Sequence, residues 1–251
     1  MAAGRKKTVF RKFLLIIGSA ILLLLLSAAA TFIFSPNICA LKDKNPDYTA
    51  FMKIRKMEAD SLHKKFFLRH DWTPLNRIPN ILVEAVLSAE DDRFFEHHGF
   101  DWQELRQAFL GKSRRKTIRG ASTISQQLVK NLYLSPKRSI LRKMKEFILT
   151  IKLEFCLSKR RILECYLNVI ELGNGIFGVE AASRHFFSKS VSDLSCTEMI
   201  RLAAVIPKPL KVSPLSDSKY IHWRMNWIGH RLKRKGVITD DQYREIIRQS
   251  R

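Results

Sequence analysis

Three segments near the middle of the chain carry residue types that can do chemistry: AEDDRFFEHHGFD (89–101), GASTISQQLVKN (120–131) and RKMKE (142–146). Two carboxylates, a run of hydroxyls and amides, and several cations suit acid–base work on a substrate that carries phosphate. Glu90 follows the apolar stretch IPNILVEAVLSA, which places it near the end of a buried helix. Phe94 and Phe95 would desolvate it there, and Asp91 and Asp92 would add like charge, both of which suit a proton acceptor. The same E-D-D run also reads as a helix-terminal acid patch capped by neighbouring amides. His97 and His98 beside Glu96 lack the H-E-x-x-H zinc pattern, so His97 is expected to brace the Glu90 loop by a hydrogen bond. Gly99 permits a turn, and Asp101 can cap a helix beginning at Trp102.

In the second segment the Ser122 and Thr123 hydroxyls precede a helix-like run. Hydroxyls and backbone N–H groups would converge on a helix N-terminus suited to an anion. Gln126 and Lys130, four apart, share a face, so Lys130 can reach the same ligand. A plain Ser/Thr cap followed by a solvated face is the alternative. Arg142 and Glu146 are also four apart, flanking the apolar stripe of a long helix. On an open surface such a pair contributes only about 0.3–0.5 kcal/mol. Facing a cleft, it supplies a cation for a leaving phosphate and a second acid, and spacing leaves both readings open.

The elements that must position these residues read as helix after helix. Ser135 and Pro136 look like an N-cap and first turn for a helix of about 20 residues, with apolar residues at 140, 141, 144, 147, 148, 151 and 155. Ser158 caps KRRILECYLNVI, and ELGNGIFGVE then breaks into a loop through Gly173, Gly175 and Gly178. Ser195 with Glu198 forms a capping box before MIRLAAVI, Pro207 follows that helix, and Thr239 with Gln242 opens the last one. No alternating strand run competes, so the fold class is mainly α in one domain. Residues 51–70 suit either a helix lying against head groups or an amphipathic core helix with a solvated basic face.

Residues 13–34 form 22 consecutive uncharged positions, about 33 Å of helix at 1.5 Å per residue and enough to cross a bilayer. Arg5, Lys6, Lys7, Arg11 and Lys12 precede the run and place the N-terminus in the cytoplasm. A cleaved signal peptide ending near Ala28–Ala30 competes, but the run exceeds the usual apolar region of such peptides. The expected organisation is a basic tail at 1–12, a transmembrane helix at 13–34, a linker and juxtamembrane segment at 35–70, and a domain at 71–251. The net charge of +22 over 251 residues predicts an anionic partner: nucleic acid, a phosphate-bearing ligand or an acidic membrane surface. An extracytoplasmic domain does not meet nucleic acid, which leaves lipid head groups or a diphosphate. Cys39, Cys156, Cys165 and Cys196 show no metal spacing. Cys156 and Cys165 are expected as small buried apolar groups in neighbouring helices, and a disulfide is permitted but not indicated.

E-D-x-x-F-x-x-H-x-G-x-D from Glu90, G-x-S-T-I-x-Q-Q-L-x-K-N from Gly120, R-K-x-x-E from Arg142 and S-K-x-x-I-L-E-x-Y-L-N from Ser158 resemble, in order and spacing, the motifs of the peptidoglycan glycosyltransferases. The likeness covers residues 75–215 and includes the glycine-rich stretch from Gly173 to Ala182. Within that family the chain most resembles the monofunctional biosynthetic transglycosylases, which have one anchor and no penicillin-binding domain. Ala121 stands where a second glycine is common and Ser125 where threonine is common.

The resemblance implies a lysozyme-like helical glycosyltransferase domain behind one transmembrane helix, in the bacterial inner membrane with the domain in the periplasm. It implies polymerisation of lipid II into β-1,4-linked glycan with release of undecaprenyl diphosphate. Glu90 would be the general base, and Glu146 a second essential acid that orients cations, ligates a divalent ion (Mg or Mn) or polarises the donor. Lys130 and Arg142 would hold the leaving diphosphate. Ser122, Thr123, Gln127, Lys159 and Lys208 would line the donor side, while Asp91, Phe94 and His97 shape the first motif. No organic cofactor is implied. Implied partners are lipid II, the growing strand, membrane lipids and other wall-synthesis or division proteins, with no nucleic acid. LRQAFLGKSRRKTIR (105–119) would meet the membrane surface. A lysozyme-like hydrolase and a non-catalytic membrane-anchored scaffold are the alternatives.

Overall fold

The computed structural model describes residues 2–109 and 122–250, without the side chains of residues 2–10, 13, 20, 21, 24, 25, 28 and 107–109. Residues 110–121, and with them Gly120, Ala121 and most of the basic stretch at 105–119, lie outside it. The described chain is mainly helical: α1 (Ala2–Ile33), α2 (Ala50–Ser61), α3 (Asn80–Glu90), α4 (Trp102–Phe109), α5 (Ile124–Tyr133), α6 (Ile140–Cys156), α7 (Lys159–Val169), α8 (Val179–Phe187), α9 (Cys196–Val205), α10 (Lys219–Arg234) and α11 (Asp240–Arg248). Although α1 is continuous, no helix is long and apolar enough among the described residues to cross a membrane.

Local chemistry starts most of these helices where the sequence places them. Ser158 accepts from Arg161 N at the head of α7, and Ser195–Glu198 and Thr239–Gln242 form reciprocal capping boxes on α9 and α11. Asp101 accepts from Glu104 N at 2.8 Å to open α4. The long helix departs from expectation. Its N-cap is Ser139, not Ser135, whose hydroxyl instead accepts from Lys137 N in a turn. A Ser-Pro pair initiates a turn as readily as a helix, and here the turn wins.

Two helix groups share one core. Helices α3, α9 and α10 pack together through Leu82, Ala85, Val86, Ile200, Ala203, Met225 and Ile228, while α5 packs on α6 and α7 through Leu128, Leu132, Leu149 and Leu163. The segment read as a loop after α7 forms a small sheet: β2 (Glu171–Gly173) runs antiparallel to β3 (Ile176–Phe177), which pairs in parallel with β1 (Arg69–His70). Strands of two or three residues, buried on both faces in β2 and β3, are too short to show alternation. Gly178 closes this unit with φ +86°, where a Cβ would sit 2.5 Å from the Asn168 carbonyl oxygen. Within residues 35–70, expected as a linker and juxtamembrane segment, Ile38 and Leu41 join the main core, and α2 buries Phe51 and Met52 as the amphipathic core helix of its two readings.

The apolar stripe of α6 faces outward. Ile140 is 81% exposed and Phe155 85%, with Leu141, Met144, Phe147 and Ile151 also exposed, whereas Glu146, Leu149, Thr150 and Leu153 face inward. The end of α1 docks on this helix: Lys152 donates to the Phe32 carbonyl at 3.0 Å and to Ser35 Oγ at 2.7 Å. Just beyond, Cys39 and Cys156 are joined by a disulfide across 117 residues, with Cα atoms 4.9 Å apart. Cys165 is buried and free as expected, but Cys156 is a bridge rather than a buried apolar filler. No local spacing encodes such a pairing.

Closing so long a loop restricts the unfolded chain, with a typical stabilisation of about 2–4 kcal/mol. The double variant Cys39→Ser/Cys156→Ser is expected to unfold about 4–16 °C lower than the oxidised parent in thermal melts, at about 2–4 °C per kcal/mol for a domain of this size. An unchanged melting midpoint would show that the staple does not constrain the unfolded chain.

Candidate active site

Glu90 is the last residue of α3, and its two carboxylate oxygens face different elements. Oε2 accepts from Gln127 Nε2 of α5 at 3.0 Å, and Oε1 faces Arg224 Nη2 of α10 at 3.3 Å. Gln127 cannot turn its amide around. Its Oε1 accepts from the Tyr166 hydroxyl at 2.9 Å, and burial, with Glu90 and Asp91 adding to it, holds that hydroxyl well above its ordinary pKa and therefore protonated. Both donors favour a carboxylate at position 90, the form a base requires.

The expected neighbours of Glu90 are arranged otherwise. Phe95 is exposed, and Asp92 turns to Arg231 and Lys235. Asp91 is buried and accepts from Ile124 N and from His97 Nε2, each at 2.9 Å. The anion at the N-terminus of α5 is thus the protein's own Asp91. Thr123 is also committed, donating its hydroxyl to the Gly99 carbonyl at 2.7 Å while capping Gln126 N. Gln126 closes that capping box on Thr123 N, so Gln127, not Gln126, shares a working face with Lys130. Phe94 is core, packed at its edge against Phe95 and His97.

Beyond Gln127 lie the cations. Burial lowers the Lys130 pKa from its ordinary value; Glu146 is the strongest opposing influence, Arg142 and Lys143 add like charge, and Glu90 adds opposite charge. Lys130 therefore sits within electrostatic reach of both acids. Arg142 Nη1 donates to Glu146 Oε2 at 2.5 Å, Lys143 holds the other oxygen, and the Glu146 side chain is only 3% exposed. The Arg142–Glu146 pair is accordingly an inward pair on α6 rather than a surface bridge.

A cavity of about 390 Å³ opens beside this row. Gln127, Lys130 and Lys208 line it with Tyr166, Phe51 and Arg55. Arg55 is locked to Glu171 by hydrogen bonds of 2.6 and 2.9 Å, which hold its guanidinium above an already high pKa. Lys208 extends over the Tyr220 ring, 4.4 Å from its centroid. Lys159 does not line the cavity. It pairs with Glu154 at 2.7 Å and lies over the Phe94 ring. Ser122 offers its carbonyl to Gln127 Nε2 at 3.4 Å.

Among the described residues no group of three His, Cys, Asp or Glu side chains could hold a metal ion. Glu146, the acid expected to ligate one, has both oxygens engaged by cations. The donor set does not fit a protein-held divalent ion.

Arg224, Arg55, Phe51 and Tyr166 were not legible as site residues. Arg224 alone carried a signal, as a cation on the α10 face that also presents Ile221, Met225 and Ile228. Of these, Arg224 is the largest fully buried side chain.

Residues 60–233 match the family described as Transglycosylase. The chain belongs to the transglycosylase family. It is similar to proteins named biosynthetic peptidoglycan transglycosylase from Aromatoleum aromaticum, with 50% identity over 167 residues, covering 66% of this chain and 72% of that protein. A protein of the same name from Thiobacillus denitrificans is 44% identical over 202 residues, covering 80% of this chain and 82% of that protein. In this transglycosylase the first, second and third motifs supply Glu90, Lys130 and the Arg142–Glu146 pair to one connected electrostatic region.

A site built for a ligand separates from the scaffold by its effect on stability. Lys130→Met removes an ammonium whose burial disfavours its charge, so its thermal midpoint is expected to be unchanged or raised. Asp91→Ala strips the buried Ile124 N–H and His97 of their acceptor, with an expected loss of about 1–3 kcal/mol. Thermal and denaturant melts of both variants check this, and a Lys130→Met protein as unstable as Asp91→Ala would place Lys130 in the scaffold.

Proposed function

We propose that this chain is a peptidoglycan glycosyltransferase that polymerises lipid II into β-1,4-linked strands and releases undecaprenyl diphosphate. The observation that carries the reading is a carboxylate at position 90, held by Gln127 and Arg224, within electrostatic reach of Lys130 and through it of Arg142 and Glu146. Family membership and relatives named for this reaction support it. So does a mainly helical fold, which fits the lysozyme-like architecture of the resemblance.

In this reading the acceptor's 4-hydroxyl gives its proton to Glu90 as its oxygen attacks the donor's anomeric carbon. The bond from that carbon to the diphosphate oxygen breaks, and its electron pair leaves with the diphosphate. A single displacement inverts α to β. A diphosphate already leaves readily, so the larger task is to stabilise its developing charge. Lys130 and Arg142 do this, Arg142 being able to bind two oxygens. Glu146 keeps Arg142 and Lys143 aimed, and Lys208 adds charge on the cavity wall. Asp91, His97 and Thr123 hold the ends of α3 and α5 in register, while Phe94 supports the first motif from the core. Lys159 and Ser122 act through positions beside this frame. A hydrolase releases no diphosphate and so has no use for the cations Lys130 and Arg142 beside the acids.

The reading also places the protein at the inner membrane, with residues 13–34 as anchor and the domain in the periplasm. The uncharged run supports this, as does the exposed apolar stripe of α6 together with Trp102 and Leu105. A contiguous apolar face of this kind suits a membrane surface. The basic balance of the chain suits anionic head groups.

Full-length protein in detergent, given labelled lipid II, is expected to yield glycan ladders on a gel. Glu90→Gln should lower the rate by about 10²- to 10⁴-fold, the range of general-base contributions. Shortening of preformed glycan without ladders would instead identify a hydrolase, and neither activity a scaffold. The alkaline limb tests Lys130: with its pKa lowered, the ammonium is lost at a lower pH than for an ordinary lysine. The fall of kcat/KM should therefore begin below the usual lysine range, and Lys130→Arg, whose charge persists, should move it upward even where the rate is reduced. An identical limb in both proteins would remove Lys130 from the charge-bearing role.

A further inference from the structure

The hydrogen bonds that run from Tyr166 to Glu90 have a direction, and that direction bears on a proton. Tyr166, on α7, is fully buried and donates to Gln127 Oε1 at 2.9 Å, while Gln127 Nε2 donates to Glu90 Oε2 at 3.0 Å. The Ser122 carbonyl, 3.4 Å from the same nitrogen, can only accept and agrees with this setting of the amide. An N–H aimed at a carboxyl group favours its ionised form. An amide oxygen aimed there favours the protonated form, because only a carboxylic acid has a hydrogen to give. Which end of Gln127 faces Glu90 therefore decides which form of the acid the site prefers.

Tyr166 makes that choice. If the amide turned over, its oxygen would meet Glu90 Oε2 and the Ser122 carbonyl, and its nitrogen would meet the tyrosine oxygen. Tyr166 could accept from that nitrogen, but its own O–H would be stranded: among the described residues Gln127 Oε1 is the only hydrogen-bond partner of this hydroxyl. Nor can the hydroxyl shed its proton, since burial, with Glu90 and Asp91 adding to it, keeps its pKa well above the ordinary value. A buried donor without a partner is costly. The charged and titratable groups around Glu90 exert no such control. Arg224 and Tyr220 stand on α10, Lys130 lies about one turn beyond Gln127 on α5, and Asp91 and Asp92 follow in the chain. They influence the charge at position 90, but among the described residues none of them bonds the Gln127 amide.

We infer that Tyr166 is a positioning residue for the base: through Gln127 it keeps an N–H turned toward Glu90 and so holds that carboxyl group ionised, ready to accept a proton. This rests on the glycosyltransferase reading, in which Glu90 is the base, and adds to it the residue that poises it. Tyr166 acts on the reaction through the amide alone.

The test is Tyr166→Phe in the full-length protein, a change that removes one oxygen and keeps the ring in the core. Freed of its tie, Gln127 can turn its oxygen to a protonated Glu90, which raises the affinity of that carboxyl for its proton. The acid limb of kcat/KM for lipid II polymerisation is then expected to move to higher pH by about one unit, the size of one buried unpaired donor. The alkaline limb should stay in place. A merely structural loss would scale the whole profile down by one factor, and an acid limb that does not move overturns the inference. Gln127→Leu checks the route. The double variant Tyr166→Phe/Gln127→Leu should share the acid limb of Gln127→Leu, as expected of residues acting in series; a further displacement as large as that of Tyr166→Phe in the parent overturns it. NMR titration of isotope-labelled glutamate carboxyls, with Glu90 assigned by comparison with Glu90→Gln, reads the same displacement without turnover. Should circular dichroism show Tyr166→Phe to be misfolded, the parent decides: its Gln127 amide protons should shift as Glu90 titrates, and an amide blind to that titration overturns the inference. A Glu90 titration that moves in Tyr166→Phe while the parent makes no polymer leaves the tie standing and removes the transferase reading.

Discussion

The site depends on one buried carboxylate that takes no part in the proposed chemistry. Asp91 joins the end of α3 to the start of α5 by accepting from Ile124 N, and it accepts from His97 on its other oxygen. A charge-assisted bond to a helix N-terminus is stronger and more directional than a neutral one. Glu90 is the preceding residue, so the joint fixes where its side chain leaves α3. Gln127 and Lys130 lie one and two turns into α5, so the joint also fixes where they arrive. Together with the Gln127–Glu90 hydrogen bond, it keeps Glu90 and Lys130 in register.

The charges around Glu90 are arranged by opposition rather than accumulation. Glu90 has Arg224, Glu146 has Arg142 and Lys143, and Asp92 has Arg231 and Lys235. Lys130 is the exception. It stays mainly buried among both signs with a depressed affinity for its proton, and its ammonium lies over the Phe51 ring at 5.8 Å. An ammonium kept partly dry and without a dedicated carboxylate keeps its attraction for an arriving anion. Arg224, Arg142, Lys143, Arg231 and Lys235 are paired, whereas Lys130 and Lys208, in no ion pair among the described residues, both line the cavity.

Local signals carried most of what the sequence revealed. The caps at Asp101, Ser158, Ser195 and Thr239 involve residues within three positions of each other, so they were readable before any tertiary contact was known. The ordered motifs named the family. Facing, pairing and commitment were not readable. The stripe on α6 announces a helix, but its outward direction is set by α1 and by the inward demand of Glu146. Cys39 and Cys156 are 117 residues apart, and Arg224 meets Glu90 across 134 positions. Thr123 looked like an anion donor because a cap and a ligand-binding hydroxyl share one sequence pattern, and only the Gly99 carbonyl and Asp91 show that the first role consumes it.

Helix α6 therefore answers to two environments. Its inner face carries Glu146 toward Lys130, and its outer face is apolar. Cys156 binds its last residue to the chain emerging from α1. Glu146 precedes Cys156 by ten residues, which at 1.5 Å of rise places it about 15 Å along the axis from the staple. A rigid helix fixed at one end transmits position as well as orientation. However α1 is inclined, Glu146 keeps a constant distance along α6 from the covalent tie to Cys39. In the proposed reading a lipid-borne substrate has its own fixed height, set by a tail that stays in the membrane. Matching the two is a problem of length, and a helix with a covalent tie at its foot is a direct physical way to hold a length constant.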